Sequence, residues 1–136
     1  KIETAINIFQ DKYDRLPGDW NRNGKVDWYE QWKFWYDLIN KTGLLTVADR
    51  KDPITGRILV FSNSPRKPYD GIWLEIQGYR IEPRAYICKI DQKYDDGKSW
   101  PTGGSRIFTD TWGYWPSADC NSLKGTVEAN FNVYRY

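Results

Sequence analysis

Apolar residues at the start of the chain recur at the spacing of an amphipathic α-helix. Between Lys1 and Leu16 they return every three or four positions, and polar side chains occupy the opposite side. The apolar positions are Ile2, Ala5, Ile6, Phe9, Tyr13 and Leu16. Pro17 and Gly18 follow directly and are typical of a helix end. The pattern predicts a helix over residues 1–16 with one face packed against the rest of the protein.

A second helix is predicted over residues 28–42. Large apolar side chains return at helical spacing in this stretch, and Gly43 follows in the position where glycine commonly ends a helix. One stripe carries Trp28, Trp32, Trp35 and Ile39, with Phe34 and Leu38 beside it. The two helices are expected to meet through a short loop.

Shorter patterns separated by turn residues fill the rest of the chain. Strands are predicted at residues 58–61, 71–77, 106–108 and 127–136. In the last of them, apolar Val127, Ala129, Phe131 and Val133 alternate with polar Glu128, Asn130 and Asn132. Residues 81–93 alternate like a strand, but Pro83 near their start and Gly97 beyond their end favour a short helix.

Length and charge narrow the possible classes of protein. The 136 residues are enough for one hydrophobic core, so a single domain over residues 1–136 is expected. Basic and acidic side chains nearly balance, at 20 and 18, with no long run of one sign, so no nucleic-acid partner is expected. No stretch approaches the roughly 20 apolar residues of a membrane span.

The two cysteines and the absence of histidine limit the chemistry. Cys88 and Cys120 stand outside any Cys-x-x-Cys or Cys/His cluster, which argues against zinc and redox sites. A disulfide in an oxidising compartment is favoured, and two buried free thiols in a cytosolic protein are the alternative. With neither histidine nor a Gly-x-Ser-x-Gly elbow, the chain is not expected to be an enzyme.

The strongest local motif lies between the two predicted helices, in residues 19–30. Oxygen-bearing side chains stand at positions 1, 3, 5, 9 and 12 of this stretch, with Gly24 at position 6, which is the pattern of an EF-hand calcium loop. The expected ligands are Asp19, Asn21, Asn23, the carbonyl of Lys25, Asp27 and Glu30. Because two ligands are neutral and basic residues sit in the loop, we expect weak binding of Ca²⁺ as a structural clamp.

An alternative explains the same residues without a metal. Asp27 and Glu30 have the spacing of a capping box at the start of the second helix. Asp19, Asn21 and Asn23 would then be turn residues only. Both interpretations remain open from the sequence.

Two further groups in the second half of the chain have more than one interpretation. Asp91, Asp95 and Asp96 before Gly97 would form a second cation site or a glycosidase carboxylate pair, but a solvated helix end explains them better. The aromatic side chains of Trp100, Trp112, Tyr114 and Trp115 would face sugars or a neighbouring subunit, or simply pack the loop.

Two segments resemble type IV pilins and pseudopilins. Residues 5–19 resemble the stretch in which the long N-terminal helix of these proteins ends in a Tyr-x-x-Leu-Pro-Gly-Asp turn, here Tyr13 to Asp19. Residues 90–97 and 101–103, with Ala85 upstream, are similar to the Asp-x-Lys-x-Asp-Asp-Gly-x-Pro-x-x-Gly segment of one pilin-like subgroup. The two matches follow in the family's order and together cover part of the chain.

The resemblance implies an α+β, pilin-like head. The amphipathic helix would pack on an antiparallel sheet, with a second short helix, long ordered loops, and a Cys88–Cys120 disulfide fixing the C-terminal region. The helical pattern starts at Lys1 with no capping residue before it. We therefore expect the sequence to begin inside a longer helix. The resemblance implies that the apolar first half of this helix anchors the subunit in the inner membrane and later forms the filament core.

The function implied is that of a structural subunit of a type IV pilus or similar surface filament, in adhesion, motility or surface attachment. Such a subunit assembles with like subunits, resides in the inner membrane and periplasm before assembly, and binds a surface glycan or host ligand in some roles. A pseudopilin of type II secretion is the alternative within the family. A secreted calcium-dependent carbohydrate-binding module is the alternative outside it.

Overall fold

A computed structural model describes residues 1–52, 56–62, 67–76, 107–111 and 127–136. The side chains of residues 107–111 and 127–129 are not described. The helices are α1 (Ile2–Tyr13), a 3₁₀ turn (Trp28–Glu30), α2 (Gln31–Trp35), a π turn (Tyr36–Lys41) and a 3₁₀ turn (Val47–Arg50). The strands are β1 (Leu59–Phe61), β2 (Gly71–Ile76), β3 (Ile107–Thr111) and β4 (Val127–Arg135). The described part of the chain is thus an α+β structure, as predicted.

Helix α1 buries the face that its periodicity predicts. Ala5, Ile6 and Phe9 lie in the hydrophobic core. The helix ends at Tyr13 rather than Leu16, because Asp14 adopts a left-handed conformation with φ 53° and its N–H binds the carbonyl of Gln10. The predicted boundary at residue 16 is therefore wrong by one turn.

The second helical segment, residues 28–41, exposes much of its predicted apolar stripe. Trp28 and Trp32 are 64% and 57% exposed, whereas Phe34, Trp35 and Leu38 are buried in the core. The segment changes from a 3₁₀ turn through α2 to a π turn, so its residues do not follow one constant angular spacing. Beyond the π turn, Gly43 has the predicted positive φ of 66°.

The four described strands form one antiparallel sheet in the order β1-β2-β4-β3. Leu74 of β2 pairs with Phe131 of β4, and the register shifts by one residue beside Ile72 and Trp73. Every residue from Ile72 to Ile76 is buried. Since alternate side chains of a strand point to opposite faces, β2 is covered on both faces.

The polar face predicted for β4 is not a solvent face. Asn130 and Asn132 are buried, and they pair across the sheet with Glu75 and Trp73. The Asn132 side-chain amide donates to the carbonyls of Ile72 at 3.2 Å and Tyr134 at 2.9 Å. These bonds compensate for burial of the amide, so alternation along the strand did not identify which face is exposed.

Several predictions fall outside the described residues. These are the helix at 81–93, the pairing of Cys88 with Cys120, the acidic group at Asp91, Asp95 and Asp96, and the aromatic residues Trp100, Trp112, Tyr114 and Trp115. Within the described ranges, every helix is too short or too polar to cross a membrane.

Candidate metal centre

The loop that carries the EF-hand pattern starts directly after the turn at the end of α1. Asp19, its first residue, is only 2% exposed. Its Oδ1 accepts the Asn23 N–H at 3.0 Å, and its Oδ2 accepts the Gly24 N–H at 2.8 Å. Gly24 has φ 83°, the left-handed conformation that lets the chain turn back over Asp19. The Asp19 carboxylate is therefore enclosed by the loop it begins.

The two asparagines continue the same turn. The Asn21 side-chain oxygen accepts the Asn23 N–H at 3.2 Å, and the Asn23 side-chain oxygen accepts the Lys25 N–H at 2.9 Å. Asn21, Asn23 and Lys25 are exposed. Each side-chain oxygen has two lone pairs, so one hydrogen bond leaves it able to bind a cation as well.

The second half of the loop forms a capping box. Asp27 and Glu30 cap the first turn of the second helical segment, and Glu30 Oε2 accepts the Asp27 N–H at 3.1 Å. Glu30 is 4% exposed, and its Oε1 lies 3.7 Å from Lys33 Nζ. The Tyr29 hydroxyl donates to Asp27, and this hydrogen bond raises the pKa of Tyr29. The hydrogen bonds of the metal-free alternative are thus present.

The structure joins the predicted ligands in two groups. Asp19, Asn21 and Asn23 share one turn, and Asp27 and Glu30 share the other. Among the described residues, no three acidic, cysteine or histidine side chains lie close enough to form a metal-binding group. The donor chemistry nevertheless fits calcium, because Asp19 and Glu30 are buried carboxylates, Asp27 is a third carboxylate, and the other donors are amide and carbonyl oxygens. Ca²⁺ bound here would bridge the two groups.

Asp37 positions the start of the loop, although it lies outside the EF-hand pattern at residues 19–30. Its side chain is fully buried, and its Oδ2 accepts from Arg15 Nη1 at 2.8 Å, the Gly18 N–H at 2.8 Å and Trp20 Nε1 at 3.1 Å. Arg15 and Gly18 precede Asp19 in the sequence and Trp20 follows it, so Asp37 binds the chain on both sides of Asp19. The available signal was its position three residues after Phe34, which places both on the same side of a helix.

Tyr136 fixes the middle of the loop. Its hydroxyl accepts the Val26 N–H at 2.8 Å and donates to the Val26 carbonyl at 3.2 Å. Burial raises the pKa of Tyr136, so the hydroxyl stays protonated and able to donate at neutral pH. The two residues are 110 positions apart, and no local pattern in the sequence links them.

Comparison with known proteins does not identify a family for this chain. No protein-family model, curated protein or solved structure matches the chain. The functional interpretation therefore depends on the contacts of the described residues and on the two short segments that resemble pilins.

Proposed function

We propose that this chain is the head of a type IV pilin-like subunit, a structural component of a surface filament. The observation that carries the proposal is the junction at the end of α1, where the turn at residues 16–19 is fixed to the second helical segment. In such a subunit the helix joins the filament core and the head faces outward. A rigid junction is what that arrangement needs, because any load on the filament passes through it.

The packing of α1 supports the proposal. Its apolar face lies in the core, and Gln10 exchanges hydrogen bonds with Tyr134 of β4, at 3.1 and 3.2 Å. The helix is thereby attached to a central strand of the sheet. Its other face remains exposed, including Ile8 at 48% exposure, and is available to a neighbouring subunit.

The burial of the junction also supports it. The side chains of Arg15 and Asp37 are 11% and 1% exposed and form an ion pair at 2.8 Å. Gly18 packs so closely on Phe34 that no larger residue fits there. These contacts fix the direction in which the chain leaves the helix.

Bound Ca²⁺ forms the second part of the proposal. The loop from Asp19 to Glu30 connects the end of α1 to the second helical segment, so a cation bridging its two halves would stiffen the same junction. Asp19 and the asparagines would hold the ion from one side and Glu30 from the other. The ion supplies charge compensation for two buried carboxylates and performs no chemistry.

The location of the protein tests the filament proposal directly. Antibodies against the head should label surface filaments in electron micrographs, and filaments sheared from cells should contain the chain. Deleting its gene should remove or shorten those filaments. A chain that stays in the envelope while deletion blocks export of secreted enzymes would instead identify a type II secretion pseudopilin.

Calcium should stabilise the isolated protein. Ligands of this kind bind with Kd of about 10⁻⁴–10⁻³ M, so 10 mM Ca²⁺ would contribute roughly 1.4–2.7 kcal/mol and raise Tm by about 4–10 °C. The shift should disappear in Glu30→Gln, measured by thermal unfolding with and without calcium. This substitution keeps an oxygen that accepts the Asp27 N–H, so it separates metal binding from helix capping.

The matched control is Asp11→Asn, which removes the same charge from an exposed position on α1. It should keep the full calcium shift. A Tm that is insensitive to calcium in the unaltered protein would leave the capping box as the whole role of Asp27 and Glu30. An equal shift in Glu30→Gln would exclude Glu30 as a ligand.

A further inference from the structure

An open groove lies between the second helical segment and the 3₁₀ turn Val47–Arg50. Its volume is about 350 Å³. The side chains that matter for its chemistry are Trp32, Trp35, Tyr36, Ile39, Val47 and Arg50. It lies outside the calcium loop, and the proposed filament function does not use it.

Exposed aromatic rings form one wall of this groove. Trp32 is 57% exposed and Tyr36 is 46% exposed. Trp20 packs edge-on against both, with ring centres 5.4 Å from Trp32 and 6.1 Å from Tyr36. These contacts hold the two rings in place although much of their surface remains in water. Fixed, exposed aromatic surface of this kind is typical of a binding site.

The other wall carries hydrogen-bond donors without acceptors. Arg50 lies over the Trp35 ring, with Cζ 5.0 Å from the ring centre, and its buried Nε has no hydrogen-bond partner. None of the salt bridges among the described residues includes Arg50. Trp35 is only 3% exposed, and its indole Nε1–H also has no hydrogen-bond acceptor. A buried donor without an acceptor destabilises the folded protein, so native structures rarely keep one without a reason.

The positive charge of Arg50 therefore has no acidic partner among the described residues of the groove. Its described lining residues include Arg50 and no Asp or Glu. Burial lowers the pKa of Arg50, which agrees with a guanidinium that no acid stabilises. A ligand with a carboxylate would pair with the Arg50 guanidinium, which has no acidic partner among the described residues, and Arg binds carboxylates with paired hydrogen bonds.

The ligand must combine a carboxylate with a flat face that packs on aromatic rings, within a site of small-molecule size. The groove's volume of about 350 Å³ falls within the roughly 300–1,000 Å³ of small-ligand sites. We propose that this groove binds an acidic saccharide, with a sugar ring stacked on Trp32 and Tyr36 and the uronate carboxylate paired with Arg50. The proposal stands whether or not the chain assembles into filaments.

Binding of trigalacturonate to the purified protein tests this proposal. Titration calorimetry should detect binding to the unaltered protein, and the methyl-esterified trisaccharide, which lacks the charge, should bind at least tenfold more weakly. Arg50→Gln and Trp32→Ala should each weaken binding of the acid at least tenfold. Their thermal unfolding, measured in parallel, identifies any loss that comes from misfolding.

Two neighbouring residues provide matched controls. Lys51→Gln removes an adjacent exposed cation, and Trp28→Ala removes an exposed indole of the same helical segment; neither residue lines the groove. Both variants should bind the acid normally. No binding at millimolar acid, equal binding of acid and ester, or equal losses in Arg50→Gln and Lys51→Gln would overturn the proposal. Self-association abolished by Trp32→Ala, without saccharide binding, would assign the surface to a protein contact instead.

Discussion

Replacing Gly18 with alanine should destabilise the protein by about 2–5 kcal/mol. Gly18 has φ 85°, and a Cβ there would lie 2.8 Å from the Phe34 nitrogen and 2.9 Å from its Cα. The left-handed conformation costs an L-residue roughly 1–2 kcal/mol, and forcing an extra carbon into a packed core adds about 1–3 kcal/mol. Urea unfolding of the two proteins measures the loss.

Comparing Gly24→Ala with Gly18→Ala separates the cost of the left-handed conformation from the cost of the close contact with Phe34. Gly24 has nearly the same φ, 83°, but a Cβ there would meet nothing within 4 Å. This variant should lose only about 1–2 kcal/mol, the conformational part. Equal losses in the two variants would contradict the close packing of Gly18 on Phe34. Calcium binding should be measured in both, since Gly18 precedes the loop and Gly24 lies inside it.

Among the described residues, Asp37→Ala should have the largest effect of any single charge removal, about 3–5 kcal/mol. The substitution removes the acceptor of three hydrogen bonds and leaves the guanidinium of Arg15 buried without its partner. Asp37→Asn should lose less, because its amide oxygen still accepts the Gly18 N–H. Chemical denaturation measures both, and Asp11→Ala on the exposed face of α1 should lose less than about 0.5 kcal/mol.

A double-mutant cycle with Arg15→Ala tests the origin of that effect. If the loss in Asp37→Ala comes mainly from the unpaired guanidinium, removing Arg15 as well should recover at least 1 kcal/mol. Additive losses would mean that the Gly18 and Trp20 hydrogen bonds carry the effect. A loss in Asp37→Ala no larger than in Asp11→Ala would show that the junction is not stabilised by this residue.

Most elements of the described fold could be predicted from the sequence because they have a local pattern, whereas the 3₁₀ turn Val47–Arg50 was not predicted. The apolar spacing of α1 identified its buried face, and turn residues bounded β1, β2 and β4 within about two residues. The end of α1 was missed because it depends on Asp14, which adopts a glycine-like conformation. No local rule distinguishes this aspartate from one that continues the helix.

The buried and exposed faces were predicted less well where packing overrides the pattern. Trp28 and Trp32 are apolar but exposed, although Trp35, three residues after Trp32 in α2, is buried. Asn130 and Asn132 are polar but buried, and hydrogen bonds to distant groups stabilise them there. Such partners are set by the tertiary structure and leave no periodic signal.

The candidate calcium loop was found from spacing alone, but its supports were not. Asp37 and Tyr136 hold the loop from the second helical segment and from the residue after β4. Their contacts join residues 19 and 110 positions apart. A motif describes the ligands of an ion, whereas the residues that hold the motif in place are recognised only in three dimensions.

The central position of β4 has a consequence for how the protein reaches its folded state. Strand β2 pairs with β1 on one side and with β4 on the other, and residues 77–126 separate β2 from β4. That pairing closes a long loop, which slows folding, and α1 also waits for β4, because Gln10 bonds to Tyr134. Until Val127–Arg135 is available, one edge of β2 is unpaired and open to another chain. Aggregation during synthesis should therefore begin at this edge.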